Sequence, residues 1–268
     1  SEMCIRDRAK VTSTGSFVST VDAVINGMTV GFGSGNVYTN VALGYTALYS
    51  NTTGYQNVAI GNAALYSNTT GNNNFALGQS ALSSNISGAA NVALGNYSMY
   101  ASTGSNNTGV GHIALYSNTT GSGNTAIGSQ ALQSNTTGTG TVAIGQNALY
   151  SNTTGYYNTA IGAGAGFSNT GAQNVFIGWN AGYNETGNNK LYIANSNTST
   201  PLIGGDFYYK NLTISGNTTI ASQSTGTTGL IVKGAASQTA DLQQWQNSAG
   251  TNLVRIASDG SAYFGGFY

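Results

Sequence analysis

The stretch Asn57-Val58-Ala59-Ile60-Gly61-Asn62-Ala63-Ala64-Leu65-Tyr66-Ser67-Asn68-Thr69-Thr70-Gly71 is written, with small changes, nine times between Asn40 and Gly187. The glycine after its Val-Ala-Ile core recurs at Gly44, Gly61, Gly78, Gly95, Gly111, Gly128, Gly145, Gly162 and Gly178, in steps of 17 or 16 residues. A fixed period this short predicts an all-β solenoid, or parallel β-roll, of about ten 16–17-residue coils. Each coil is expected to run strand, turn, strand and to stack on the one before it. A second glycine series runs from Gly54 to Gly187. It always precedes the next first-series glycine by 7 residues, whereas the opposite interval is 10 or 9. One arm is thus held to a fixed length and the other accepts a deletion.

Within the fixed arm, Asn57-Val58-Ala59-Ile60 alternates large and small, the period-2 pattern of a strand. Val58 and Ile60 share one face and Ala59 takes the other. A helix is excluded, because two glycines per repeat would each cost about 1 kcal/mol. In the second arm Leu48, Leu65, Leu82, Met99, Leu115, Leu132 and Leu149 form an apolar column, and the residue after each is usually a tyrosine facing away from it. Ser-Asn-Thr-Thr-Gly reads as a turn. Coils stacked about 4.8 Å apart would extend on the order of 50 Å and put equal residues in ladders. Asn and Thr ladders can hydrogen-bond to themselves, while a like charge at that spacing would repel itself. No Asp, Glu, Lys or Arg occurs from Ala23 to Asn184. Small residues permit close approach, so the alanine side is expected to pack against other copies of the chain in a homo-oligomer.

Composition narrows the function classes. Net charge is zero, which leaves no electrostatic footprint for nucleic acid or an acidic membrane. No apolar run is long enough to span a bilayer as a helix, so no membrane insertion is expected. Glycine without a Gly-X-Y period is not collagen. The single cysteine, Cys4, lies in Ser1-Glu2-Met3-Cys4-Ile5-Arg6-Asp7-Arg8, which resembles translated sequencing-adapter read-through. Residues 1–10 are therefore set aside, and Cys4 carries no redox information.

Residues 11–39 read as an N-terminal cap, with Val24-Ile25-Asn26-Gly27-Met28-Thr29-Val30 as a hairpin. Residues 40–200 hold the solenoid, whose last coil is Lys190-Leu191-Tyr192-Ile193-Ala194; charge returns there at Glu185, Lys190 and Asp206, as suits a capping coil. Residues 201–229 read as a β-rich connector, with a strand, turn and strand from Leu212 to Ile220 and a Ser/Thr/Gly linker from Ser222 to Gly229. Residues 230–268 read as a small β-hairpin module built from Leu230–Lys233, Leu242–Gln246, Leu253–Ile256 and Ala262–Phe264.

The Asn-Val-Ala-Ile-Gly motif at 57–61, with its relatives at 40–44, 91–95, 124–128 and 158–162, resembles the head repeats of trimeric autotransporter adhesins. That resemblance covers roughly residues 27–195. It implies left-handed parallel β-rolls, three chains side by side, binding host matrix or cells. The chain departs from the family in its longer coil and in showing neither coiled-coil stalk nor membrane anchor. The segment from Gly229 to Asn247 is similar to phage tail fibres, which often end in a self-cleaving chaperone that trimerises the fibre. The resemblances imply a structural and adhesive fibre segment, with phage tail fibre preferred over bacterial surface adhesin. They also imply an extracellular place on a virion tail or cell surface, and a glycan or protein receptor on the host. A fragment of a longer fibre is expected.

Tyr49, Tyr66, Tyr100, Tyr116 and Tyr150, continued by Phe167 and Tyr183, form the candidate ligand-binding column. Aromatic faces suit sugar rings, although such a ladder also stiffens a sheet with no ligand. The Thr-Thr pairs raise an ice-binding solenoid as a reading from another class. Against it, adjacent threonines point to opposite sides and run into a turn glycine. Their Asn-Thr-Thr triplets match glycosylation acceptors but recur as turns. His112 has no Cys, Asp or Glu near it in sequence, so no metal is expected, and the coils lack the aspartates that calcium needs. Glycoside cleavage needs two carboxylates, and the repeats hold none before Glu185. Asp206, Asp241 and Asp259 give no pattern, Trp245 reads as hairpin core, and neither an enzyme nor a cofactor is expected.

Overall fold

Every repeat contributes one short strand, laid in register on the strand of the repeat before it. The computed structural model describes residues 9–11, 17–19, 23–25, 28–215, 243–246, 252–257 and 259–264. Two compact units divide the chain, residues 1–216 and 217–268. The first unit opens with β1 (Ala9–Val11), β2 (Phe17–Ser19), β3 (Ala23–Ile25) and β4 (Met28–Gly31). The repeats then supply β5 (Val41–Gly44), β6 (Val58–Ile60), β7 (Phe75–Leu77), β8 (Val92–Leu94) and β9 (Thr108–Val110). They continue as β10 (Thr125–Ile127), β11 (Val142–Ile144), β12 (Thr159–Ile161), β13 (Val175–Ile177) and β14 (Lys190–Ile193), and the unit closes with β15 (Ile203–Asp206) and β16 (Asn211–Ile214).

Strands β3 to β16 form one 14-stranded sheet. From β5 to β14 the pairing is parallel and joins like to like: Ala59 lies between Ala42 and Ala76, Ile60 between Leu43 and Leu77. This is the all-β solenoid read from the period. Both ends of the sheet reverse to antiparallel, at β4 with β5 and at β14 with β15, so the sheet runs on past residue 200. A short 3-10 turn spans Ser34–Asn36. In the second unit β17 (Gln243–Gln246), β18 (Asn252–Ile256) and β19 (Ala262–Phe264) form an antiparallel three-stranded sheet. The Asn26-Gly27 turn, the continuation to Ile220, the linker 222–229, Leu230–Lys233, Asp241 and the side chain of Trp245 lie outside the described residues.

Two expectations need correction. The second arm is not a strand but a run of turns, with positive φ at Ala63 (54°) and Leu65 (50°) and again at Gln56 (55°) in the loop before β6. Left-handed backbone costs a non-glycine residue roughly 1–2 kcal/mol. It is held here by hydrogen bonds to both neighbouring coils: Ala63 N–H donates to Tyr45 O at 2.8 Å and Leu65 N–H to Ala81 O at 3.0 Å.

The second correction concerns the alanines, which do not face other copies. Ala59 and its equivalents are fully buried inside their own coil, packed with the Ala64 and Leu65 columns. One strand facing a tightly folded turn leaves an interior only an alanine deep, so the larger Val and Ile side chains are turned outward. Gly61 shows the same tightness along the stack: its φ is +132°, and a Cβ there would sit 2.5 Å from Gly78 O.

Two columns of buried asparagine complete the interior. Asn57 Nδ2 donates to Gly71 O at 2.8 Å, and its Oδ1 accepts the N–H of Asn74 at 3.0 Å. The other column links side chain to side chain, as in Asn85 Nδ2 to Asn68 Oδ1 at 2.8 Å, while each amide also ties its own turn, as Asn68 Nδ2 does to Gly71 O. Backbone groups buried without partners would be costly, and these ladders supply the partners.

Candidate binding surface

Three outward surfaces run the length of the repeats. The first is the aromatic column. Tyr66 follows Leu65, whose left-handed backbone sends its own side chain inward and the next one out. Stacking at the coil spacing then lays the rings face to face: Tyr49 on Tyr66 at 5.3 Å and 2°, and Tyr100 on Tyr116 at 5.3 Å and 10°. Tyr150 stacks on Phe167 at 5.0 Å, and Phe167 on Tyr183 at 4.7 Å. The five candidate tyrosines are therefore brought together in separate stacks. Ser83 and Gln133 occupy the column position at the two breaks. Inside a stack only ring edges meet solvent; faces are available where a stack stops.

Tyr97 was missed in the sequence. It stands at the position of Ala63 and Ser80, where the repeat offers no aromatic pattern. Its ring lies 6.1 Å from that of Tyr100, tilted by 57°, and its hydroxyl accepts a hydrogen bond from Gln79 Nε2 in the preceding coil at 2.9 Å.

The second surface is the threonine edge. In four of the five pairs the first threonine spends its hydroxyl inside the fold: Thr52 Oγ1 donates to Thr69 O at 2.9 Å and Thr136 Oγ1 to Thr153 O at 3.0 Å, and Thr69 and Thr119 do likewise. The third is the outward strand face, two columns that include Val41 at 49% and Ile127 at 39% exposure. His112 sits exposed in a turn, and among the described residues no three His, Cys, Asp or Glu side chains cluster as metal ligands. No described helix is long and apolar enough to cross a membrane.

Charge gathers at the C-terminal end of the first unit, around a cavity of about 470 Å³. There Tyr192 follows the inward alanine column as the partner of Phe176. Its hydroxyl donates to Glu185 Oε2 at 2.8 Å, and burial first, then that bond, pushes its pKa up to about 12. Glu185 Oε1 accepts the N–H of Gly187 at 2.7 Å. Lys190 pairs with Asp206, whose Oδ1 accepts the N–H groups of Tyr208 and Tyr209. The pair holds Asp206 below the usual carboxylate range and raises Lys190. In the second unit Asp259 accepts the N–H of Ser261. At the solenoid's end, then, Lys190 and Asp206 satisfy one another and Glu185 is held by Tyr192 and Gly187, the arrangement of a cap.

No family model matches the chain, and neither the curated proteins nor the solved structures include a significant match.

Proposed function

We propose that this chain is a structural and adhesive fibre segment, part of a phage tail fibre that attaches a virion to its host cell, working outside the cell as a homotrimer. The outward strand face carries the reading. Its second column runs from Leu43 through Ile60, Leu77, Leu94, Val110, Ile127, Ile144, Ile161 and Ile177 to Ile193 without a polar residue. A continuous apolar strip about 45 Å long is more than a monomer usually leaves in water. A partner matching it rung for rung needs the same spacing and the same lack of charge, which another copy of this chain supplies. Three copies is the number that the resemblance to adhesin heads implies. A bacterial trimeric surface adhesin would use the same face, and the receptor in either setting is a cell-surface glycan or protein. The ice-binding alternative is weakened by the Thr52-type hydroxyls, which bond to the neighbouring coil rather than to water.

Light scattering on the full chain tests the assembly, and binding of labelled protein to whole bacterial cells tests the attachment. The expected mass is that of three chains of 27.2 kDa. A stable monomer that coats no cell would sink the proposal.

A further inference from the structure

The break in the aromatic column at Ser83 has the dimensions of a binding slot. Rings in the intact stacks lie 4.7–5.3 Å apart, one per coil. With Ser83 in place of a ring, the faces of Tyr66 and Tyr100 are separated by two coil rises, about 10 Å. One flat molecule between them would meet each wall at about 5 Å, inside the range of aromatic ring contacts. Tyr66 keeps the Tyr49 stack on one side and is 37% exposed, while the inner face of Tyr100 is flanked by the tilted ring of Tyr97. The Tyr97 hydroxyl is anchored to Gln79, in the same coil as Ser83, which brings that hydroxyl to the coil where the ring is missing. The Ser83 hydroxyl is not bonded to any described residue.

We propose that this slot binds one neutral pyranose ring, sandwiched between Tyr66 and Tyr100. It rests on the receptor-binding reading of the fibre and names the class of ligand. A pyranose presents C–H groups on its faces and hydroxyls around its edge. The faces match the two tyrosine rings, and the edge reaches the hydroxyls of Ser83 and Tyr97. No ionisable carboxylate, ammonium or guanidinium occurs between Ala23 and Asn184, so a sialic or uronic acid finds no counter-charge there. The equivalent break at Gln133 carries a longer side chain, whose Oε1 accepts from Gln130 Nε2 at 3.1 Å, and leaves less room.

The test is saturation-transfer NMR on the full chain with the methyl glycosides of glucose, galactose and mannose, and with N-acetylneuraminic acid as the charged comparison. Transfer to at least one neutral glycoside, strongest at its ring C–H protons, and little to the acid is expected. Ser83→Tyr is the decisive variant. It completes the stack and should raise the melting temperature, yet weaken sugar binding about tenfold or more. Tyr66→Ala should weaken binding by removing a wall. Unchanged binding in Ser83→Tyr, or no transfer from any neutral glycoside, overturns the slot. Neither result touches the trimer, whose mass is measured separately, so the two proposals fail by different observations.

Discussion

Gly182 stands so close to the ring of Phe176 that a Cβ placed on it would fall 2.3 Å from Cδ1. Two coils near the C-terminal end have exchanged volume across the interior. Gly166 and Gly182 take the place of the leucine column, and Phe176 and Tyr192 take the place of the alanine column. Phe176→Ala should therefore open a cavity and cost about 3–5 kcal/mol. Gly166→Leu alone should overpack against the ring, costing about 1–3 kcal/mol. Together they rebuild the ordinary repeat, so the double variant should be more stable than the sum of the singles by about 0.5–3 kcal/mol. Denaturant titration of all four proteins measures this, and strict additivity would contradict the exchange.

The strand-leading asparagine ladder has one defective rung. Asn158 N–H reaches Thr141 Oγ1 only at 3.4 Å, where neighbouring rungs close at 2.8–3.0 Å. Thr141→Asn should restore the rung and raise stability by about 1 kcal/mol. Asn124→Ala should do the reverse and more. It strands the buried N–H of Thr141, at about 1–3 kcal/mol, and leaves Gly138 O with Asn135 Nδ2 as its remaining side-chain donor. Melting temperatures check both, and a neutral Asn124→Ala would mean the ladder is not holding the coils.

Neighbouring residues on one strand should separate folding from assembly. Ala143 is enclosed in the coil, whereas Ile144 is 36% exposed on the outward face. Ala143→Val is expected to destabilise the monomer fold by about 1–3 kcal/mol through overpacking. Ile144→Asp should leave the β signal in circular dichroism intact but release monomers, because the charge would be buried between copies. Light scattering distinguishes these outcomes. An Ile144→Asp protein of unchanged mass would place the interface elsewhere.

Sensitivity to pH should be confined to the end of the solenoid. Asp206 has a depressed pKa through its hydrogen bond with Lys190, opposed by burial and helped by the Tyr209 and Tyr208 N–H groups. Its contribution is present above the unfolded carboxylate value and lost as pH falls through the folded one. Tyr192, pushed up to about 12, contributes fully below its ordinary value of 10.0 and loses that contribution as pH rises toward about 12. Amide hydrogen exchange should therefore quicken first at β14 and β15 under both extremes, with β6 to β12 unchanged. Asp206→Asn should abolish the acid step. Loosening that begins in the uncharged coils would contradict this account.

Much of this protein was written in local pattern. The recurrence of Val-Ala-Ile-Gly set the strand, its register against identical neighbours and the stacking of coils, because equal residues at equal spacing can pair only with each other. The aromatic column and its breaks at Ser83 and Gln133 were legible for the same reason. Inside and outside were not. Alternation in Val58-Ala59-Ile60 places two faces but does not name the buried one, and hydrophobicity alone points the wrong way. The left-handed turns at Ala63 and Leu65 decided it, by folding the second arm so close to the strand that only an alanine fits between. Those turns are stabilised by hydrogen bonds to adjacent coils, and no single repeat contains both partners. The exchange of Phe176 with Gly166 and the hold of Tyr97 on Gln79 likewise join residues of different coils, which only the assembled stack brings into contact.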